Sequence, residues 1–367
     1  MKASGKNQEA APLVADDENS LQQIEMPLPV FPENCDSLLK KHLTEKIWKA
    51  LANKKTASGF TFQQAILSGI EQPDSSVGIY AGDEESYRLF APLLDPIIQD
   101  YHGSAGPHCK TDFSLDTLPD VSSLAEARVQ STRIRVGRNL NGFPLGAAIS
   151  REQRLEVEKR ICDALTKLPE MIQGHYHSLS SMSSEQQQAL VARHLLFKSE
   201  DRFMTSGNLM RGWPEGRGLF LSTDESFSVW VNEEDQLRII ALKQGGDVKS
   251  VFALLATGIS ALSEEVNFLF SNQLGYLASC PTNLGTSMRA SVHMSLPHLG
   301  KDENYLKQQT DILGLQVRGL HGEHSASEGS TYDISNPMRL GVSETAALAH
   351  LIKGINHLAE LDERALN

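Results

Sequence analysis

The sequence predicts an α+β protein: a small all-helical N-terminal domain, then a larger domain whose antiparallel β-sheet is flanked by helices. Three observations predict it. Between Asp36 and Asp100 the apolar residues recur at helical spacing. Beyond residue 128, short β-rich runs mostly follow one another through short turns instead of alternating strictly with helices, which favours antiparallel pairing. Between these regions, residues 102–128 carry Gly103, Gly106, Pro107 and Pro119 among several Asp and Ser, and read as a linker. A chain of 367 residues has room for two such domains, and its 40% hydrophobic content is too high for a disordered protein.

Taken in order, residues 1–32 are polar, hold Pro12, Pro27, Pro29 and Pro32, lack periodicity and are expected to form a mobile tail. The helical domain is expected over 33–115. Its stripes are Leu38, Leu39 and Leu43, then Ile47, Trp48 and Leu51, then Phe62, Ile66 and Leu67, then Tyr87, Phe90, Leu93 and Leu94. Residues 72–80, with Pro73, Gly78 and several small side chains, read as a loop whose backbone can reach a ligand. The larger domain is expected over 116–367. Strands are predicted at Val129–Arg138, 218–221, Phe227–Val231, 237–242, 290–294 and 315–318, with helices near 151–168, 184–197, 247–263 and 343–360.

Lys plus Arg number 34 against 46 Asp plus Glu, a net charge of −12, which argues against a protein that coats nucleic-acid phosphates. Cys35, Cys109, Cys162 and Cys280 are far apart and form no CxxC pair, so neither a disulfide framework nor a zinc knuckle is expected. The longest apolar stretch, residues 251–262, is broken by Thr257, Gly258 and Ser260 and is too short for a bilayer span. The first 30 residues hold two lysines, no arginine and five acids without an apolar run, so no targeting leader is expected and a cytoplasmic location is.

Four segments carry candidate chemistry. Arg133 and Arg135 stand two apart on a predicted strand, so both guanidinium forks project from one face, an arrangement suited to phosphate oxygens. The run Asn232-Glu233-Glu234-Asp235 joins two apolar segments. Acidic hairpin turns are common, but strand alternation would aim Glu234 at a cation while Glu233 and Asp235 face a hydrated magnesium ion. Cys280-Pro281-Thr282-Asn283-Leu284-Gly285-Thr286 places a cysteine at a turn with Thr282 nearby, whose hydroxyl can lower a thiol pKa. Residues 318–329 are Gly-rich and able to hinge over a site; His321 and His324 lack a convincing third metal ligand. No Walker loop and no GxGxxG follows a strand, so any nucleotide must be held by arginines on a sheet.

With these segments in this order, the chain from about Cys35 onward resembles the phosphagen (ATP:guanidino) kinases, the group of arginine and creatine kinases. The 280–286 run is that family's signature. The resemblance implies the guanidino kinase fold, which is glutamine-synthetase-like, and reversible transfer of the γ-phosphoryl of MgATP to a guanidino nitrogen, with MgADP as product and ATP buffering as the use. It implies that Arg133, Arg135, Arg238, Arg289 and Arg318 line the phosphates, with His194, His293 and Asp333 around adenine and ribose. Segments Ser131-Thr132-Arg133-Ile134-Arg135, Arg289-Ala290-Ser291-Val292-His293 and Arg318-Gly319-Leu320-His321-Gly322-Glu323 would form the nucleotide site. Glu234 and Glu323 would clamp the guanidinium beside a Cys280 thiolate, and Glu233 and Asp235 would hold magnesium through water.

The loop Ser76-Val77-Gly78-Ile79-Tyr80 looks like the arginine kinase version, in which loop amides and the Tyr hydroxyl hold the substrate carboxylate; Tyr101 and the pair Asp74 and Arg202 also look like arginine kinase choices. L-arginine is therefore the expected acceptor. A taurocyamine or other guanidino-compound kinase, and a non-catalytic nucleotide-binding relative, are the alternatives. Gln236 departs from a usual His, and Leu221-Ser222-Thr223 from a usual His-Asn-Asp. The expected partners are the small-molecule guanidino substrate and ATP, with no nucleic acid and no membrane, in a monomer or homodimer.

Overall fold

A computed structural model describes residues 27–104, 106–319 and 330–365. The helical domain is built from α1 (Leu38–His42), α2 (Glu45–Leu51), α3 (Phe62–Glu71), α4 (Glu84–Leu89) and α5 (Ala91–His102). Ser37, Thr44, Thr61 and Asp83 start the first four, each side chain accepting a hydrogen bond from a first-turn amide that would otherwise lack a partner. The apolar stripes read from the sequence converge: Leu39, Phe62, Ile66, Phe90, Leu93 and Leu94 are wholly buried, and Phe62 meets Phe90 edge-on at 5.3 Å. Of the tail expected over 1–32, residues 1–26 lie outside the described residues, and Phe31 packs against this core.

The second domain contains α6 (Ser123–Arg128), β1 (Val129–Arg138), α7 (Arg151–Leu165), β2 (Gly174–Ser178), α8 (Ser184–Ala192) and α9 (Arg202–Ser206). It continues with β3 (Gly218–Ser222), β4 (Phe227–Val231), β5 (Leu237–Gln244), α10 (Val248–Glu265), β6 (Phe270–Ser271), β7 (Gly275–Tyr276) and β8 (Met288–Ser295). α11 (Glu303–Ile312), β9 (Gln316–Arg318), β10 (Thr331–Ser335) and α12 (Glu344–Arg364) complete it. Eight strands form one antiparallel sheet in the order β2-β3-β4-β5-β1-β8-β10-β9, as the sequence predicts in class.

The differences have local causes. Part of the predicted linker folds as α6, capped by Ser122 and too short to show a period. The helix predicted over 184–197 ends at Ala192, because His194 takes a positive φ of 58°. β2, Gly-His-Tyr-His-Ser on the sheet edge, has one apolar residue, and β10, Thr-Tyr-Asp-Ile-Ser, alternates through only Tyr332 and Ile334, too short a run to stand out from its flanks.

One sheet face is apolar. Ile134, Val136, Val229, Val231, Ile239, Ala290, Val292 and Ile334 are wholly buried there, with α10 against β1 and β5 and α12 against β8. The other face is polar on β1 and β8, beside the helical domain, and apolar on β3, β4 and β5, where Leu219, Trp230 and Ile240 pack with Leu179, Leu196 and Phe197. A second apolar cluster spans the junction, joining Leu39, Phe62, Ile79 and Leu94 to Leu145, Leu209, Leu277 and Leu284. Among the described residues no helix is long and apolar enough to cross a membrane.

Candidate active site

The strand period of two builds the polar face. Ser131, Arg133 and Arg135 alternate on β1 with Thr132, Ile134 and Val136, which point into the core. Register then extends the row across strands: Arg135 lies opposite Arg289, Arg133 opposite Ser291, and Ser131 opposite His293 on β8. Asp333 on β10 lies opposite both His293 and Arg318 on β9. Arg238 on β5 stands opposite Gly137 and Trp230, and the Trp230 ring lies 5.6 Å from the Arg238 guanidinium and 5.8 Å from that of Arg133. The same alternation corrects part of the predicted nucleotide set. Thr132, Ile134, Ala290 and Val292 face away from the cleft; the last three pack in the core and the Thr132 hydroxyl donates to the Gly245 carbonyl at 2.9 Å.

These cations are crowded. Burial lowers the Arg133 pKa to about 10, with Arg238 and Arg289 adding repulsion. Burial also pushes Arg135 well below its ordinary value, and Arg238, Arg133, Arg289 and Arg339 push it further. Arg289 is partly neutralised by Asp333 at 2.9 Å. Such a cluster is completed by an anion.

The acidic run is a turn between β4 and β5, not a continued strand. Asn232 has φ 55°, and its side-chain amide donates to the Gly216 carbonyl at 2.6 Å and the Arg154 carbonyl at 3.2 Å. The predicted alternation therefore fails: Glu233 and Glu234 both reach Arg238, at 3.1 and 2.9 Å. Asp235, predicted beside Glu233 at a hydrated magnesium ion, is turned inward, where its Oδ1 accepts from Asn139 Nδ2 at 2.9 Å and the Ser279 amide at 2.7 Å. Glu233 lines the cleft, and Asp235 lines a smaller pocket beside Arg135, Arg238 and Arg289; no cluster of three metal-binding side chains occurs among the described residues. Burial outweighs Arg238 at Glu234 and lifts its pKa to about 7, with Asp235, Glu233 and Asp201 contributing repulsion.

Cys280 precedes a turn of 3-10 helix over Pro281–Asn283, its sulfur 3.2 Å from the Thr282 hydroxyl. Burial raises the thiol to about 12 and the Glu234 charge raises it too, against the Thr282 hydrogen bond. A cation seated between sulfur and carboxylate reverses the second of these effects.

The helical domain supplies the remaining wall. Asp74 through Tyr80 line the same cleft of about 740 Å³ as Glu234, Cys280 and Arg318. The loop is held against α1 and α3: the Leu38 and Leu39 amides donate to the Ser76 and Val77 carbonyls at 3.0 Å each, and the Tyr80 amide donates to Ala65 at 2.9 Å. Gly78 has φ 81° and lies so close to α3 that a Cβ on Gly69 would stand 2.4 Å from the Gly78 oxygen. The phenol of Tyr80 is raised by burial and by the neighbouring charges of Glu234 and Cys280. The Asp74–Arg202 ion pair, expected from the sequence, bridges the domains, and Tyr101 lines the opening.

Arg318 closes one end of the cleft, and Gly319 follows it. Leu320, His321, Gly322 and Glu323 lie outside the described residues. His194 is exposed, and the His293 pKa is lowered mainly by burial. Sequence reading missed the contacts of two polar residues. Asn283 Nδ2 donates to Glu234 Oε2 at 3.2 Å, and Arg339 Nη1 donates to the Thr282 carbonyl at 2.7 Å and to Asn283 Oδ1 at 2.8 Å. Asn283 stands in the motif already singled out; Arg339 sits in irregular chain after β10 and carries no periodic signal.

Residues 33–99 match the family described as ATP:guanido phosphotransferase, N-terminal domain, and residues 156–365 match ATP:guanido phosphotransferase, C-terminal catalytic domain. An arginine kinase of Limulus polyphemus is 43% identical over 355 residues, covering 95% of this chain and 99% of that protein. An arginine kinase of Artemia franciscana is 43% identical over 336 residues, 90% of this chain and 94% of that one. Among solved structures, lombricine kinase superposes with TM-score 0.84 at 36% identity, over 89% of this chain and 92% of its own. The substrate-free duplicated taurocyamine kinase from Schistosoma mansoni gives TM-score 0.85 at 36% identity over 90% of this chain; the match spans 48% of that longer chain.

Proposed function

The chain belongs to the ATP:guanido phosphotransferase family, and from that premise we propose that it phosphorylates L-arginine reversibly, using MgATP. The guanidino kinase activity goes with the family. The choice of arginine rests above all on one observation: the 76–80 loop and Tyr80 line one cleft with Glu234 and Cys280, so a substrate with a guanidinium at one end and a carboxylate at the other can meet both. Arginine has that shape, and so do creatine and glycocyamine; the Ser76-Val77-Gly78-Ile79-Tyr80 sequence, which resembles the arginine kinase loop, favours arginine among them.

In this reading Arg133, Arg135, Arg238, Arg289 and Arg318 take the phosphates, and Ser131, Ser291, His293, His194 and Asp333 lie toward the nucleoside. Phosphoryl transfer asks for in-line placement and neutralisation of developing charge, and fixed guanidinium groups supply the second. Magnesium would enter with the nucleotide and neutralise its phosphate oxygens, with Glu233 as the side chain able to accept from its water. Glu234 orients the guanidinium through paired hydrogen bonds, and its pKa of about 7 suits a group that must accept a proton near neutrality. The nitrogen to phosphorus bond forms as the β,γ-bridging oxygen leaves with ADP, and the nitrogen's proton passes to Glu234. Cys280 would lie beside the substrate cation, whose charge offsets that of Glu234 and favours the thiolate. Glu323 would be the second carboxylate by resemblance alone.

The test is a panel of initial rates with MgATP and L-arginine, D-arginine, creatine, glycocyamine, taurocyamine and lombricine. The expected outcome is a clear preference for L-arginine. Preference for taurocyamine, the substrate named for one similar structure, would keep the chemistry and overturn the reading of the loop. Silence across the panel with ATP still bound would leave a non-catalytic nucleotide-binding relative.

A further inference from the structure

Ser279 immediately precedes Cys280 and is wholly buried, yet every polar group it owns is spent on another part of the cleft. Its amide donates to Asp235 Oδ1 at 2.7 Å. Its hydroxyl donates to the Glu234 carbonyl at 2.9 Å and accepts the Gly146 amide at 3.2 Å. Its carbonyl accepts, at 2.8 Å, the amide of Ala81, the residue after Tyr80. One position earlier, the Tyr87 hydroxyl donates to the Ala278 carbonyl at 2.6 Å, so the helical domain grips this segment twice. Gly146 allows the approach: a Cβ there would stand 2.5 Å from the Glu234 oxygen.

Two hydrogen bonds through one residue thus connect the end of the substrate loop to the backbone of Glu234, while the next residue in the chain is Cys280. We propose that Ser279 is a positioning residue for phosphoryl transfer, its hydroxyl holding Glu234 in register with Cys280 and the 76–80 loop. The inference rests on the reading of Glu234 as the guanidino-side carboxylate. Ser279 need not touch substrate. Its effect is geometric, because a carboxylate displaced by about 1 Å from the productive geometry costs on the order of a hundredfold in rate.

The test compares wild type, Ser279→Ala, Ser279→Thr and Ser279→Cys by initial rates with each substrate varied, together with the pH profile and the thermal midpoint. Ser279→Ala is expected to lower kcat/KM for the guanidino substrate about a hundredfold, through both kcat and KM. The KM for MgATP should stay within about twofold, since Arg238 is the phosphate-side arginine that pairs with Glu234, while Arg133, Arg135 and Arg289 are held by the β1–β8 register. The acidic limb of kcat/KM should move to higher pH. Glu234 is faced by Arg238 from β5, by Glu233 and Asp235 on its own turn, by Asp201 before α9, and by Cys280 and Tyr80, and slackening its hold on Arg238 removes the one cation among them. Ser279→Thr, which keeps the hydroxyl, should restore the rate and the pH limb.

Wild-type kinetics in Ser279→Ala, equal losses for both substrates, or failure of the Thr variant at an undiminished thermal midpoint each overturn the inference. Where the Ala variant does not fold, the remaining three decide. Guanidino kcat/KM lower in Ser279→Cys than in wild type and Ser279→Thr, with the MgATP KM unchanged, supports the proposal; equal values overturn it. Collapse of Glu234→Gln beside an unaffected Ser279→Ala overturns the inference alone, whereas a silent wild type across the guanidino panel overturns the functional reading and the inference with it.

Discussion

The two ends of the cleft are built on opposite plans. At the phosphate end, cations stand on a rigid sheet whose register fixes their spacing, and burial together with mutual repulsion leaves Arg133 and Arg135 lowered. At the guanidino end, acids and a thiol sit on turns and a loop from two domains, and burial there lifts Glu234 to about 7 and Cys280 to about 12. Each end is electrostatically strained in the sense that the missing charge is the ligand's. A phosphate chain completes one and a guanidinium the other, so binding both is what makes the charges cancel. The difference is in rigidity: hydrogen-bonded strands hold the arginines, while the guanidino end depends on contacts between domains.

The comparison breaks most sharply at Arg135. Replacing it by Ala is expected to reduce kcat roughly a thousandfold or more, the scale of one transition-state arginine, and Arg135→Lys should recover little because a point charge cannot reproduce the fork. Rapid-quench or steady-state rates at saturating substrates check this; a loss under tenfold would remove Arg135 from the phosphate end. Next in size is Glu234→Gln, expected to lower kcat by about 10²–10⁴-fold with the ATP affinity, read by nucleotide titration, nearly intact.

The pH profile sharpens the same contrast. Glu234 must be ionised to accept a proton, so kcat/KM should fall as pH drops through about 7. In the ternary complex the guanidinium favours the carboxylate, so the limb in kcat should lie at lower pH than the limb in kcat/KM. Coincident limbs would argue that another group titrates, and Glu234→Gln should abolish the limb assigned to it. The smallest effect belongs to the domain bridge. The Asp74–Arg202 pair is exposed on both sides, so Asp74→Ala should raise the guanidino KM only a few-fold and shift the thermal midpoint slightly. A large fall in kcat would make the pair part of the chemistry instead of a tether.

How much was legible follows from how local each signal is. The helical stripes, the β1 alternation of Arg133 and Arg135, and the 280–286 run were readable because each repeats or concentrates within a few residues. The edge strand β2, the six-residue α6 and the five-residue β10 were not, since each is too short for its period to repeat. Arg339 reaches Asn283 from irregular chain, and nothing in its neighbours announces that.

The sequence by itself determined the fold class, the order of the two domains and the residue types at both ends of the cleft, because side-chain periods of 2 and 3.6 are properties of the backbone. Only the tertiary structure decided which residues of each motif face the cleft and in what protonation state. Thr132, Ile134, Ala290 and Val292 went to the other face; Asp235 turned one oxygen to Asn139 and Ser279; burial raised the pKa of Cys280. The physical reason is that a turn such as 232–236 escapes strand alternation, and desolvation depends on everything packed around a group, which no stretch of neighbours in the chain can specify.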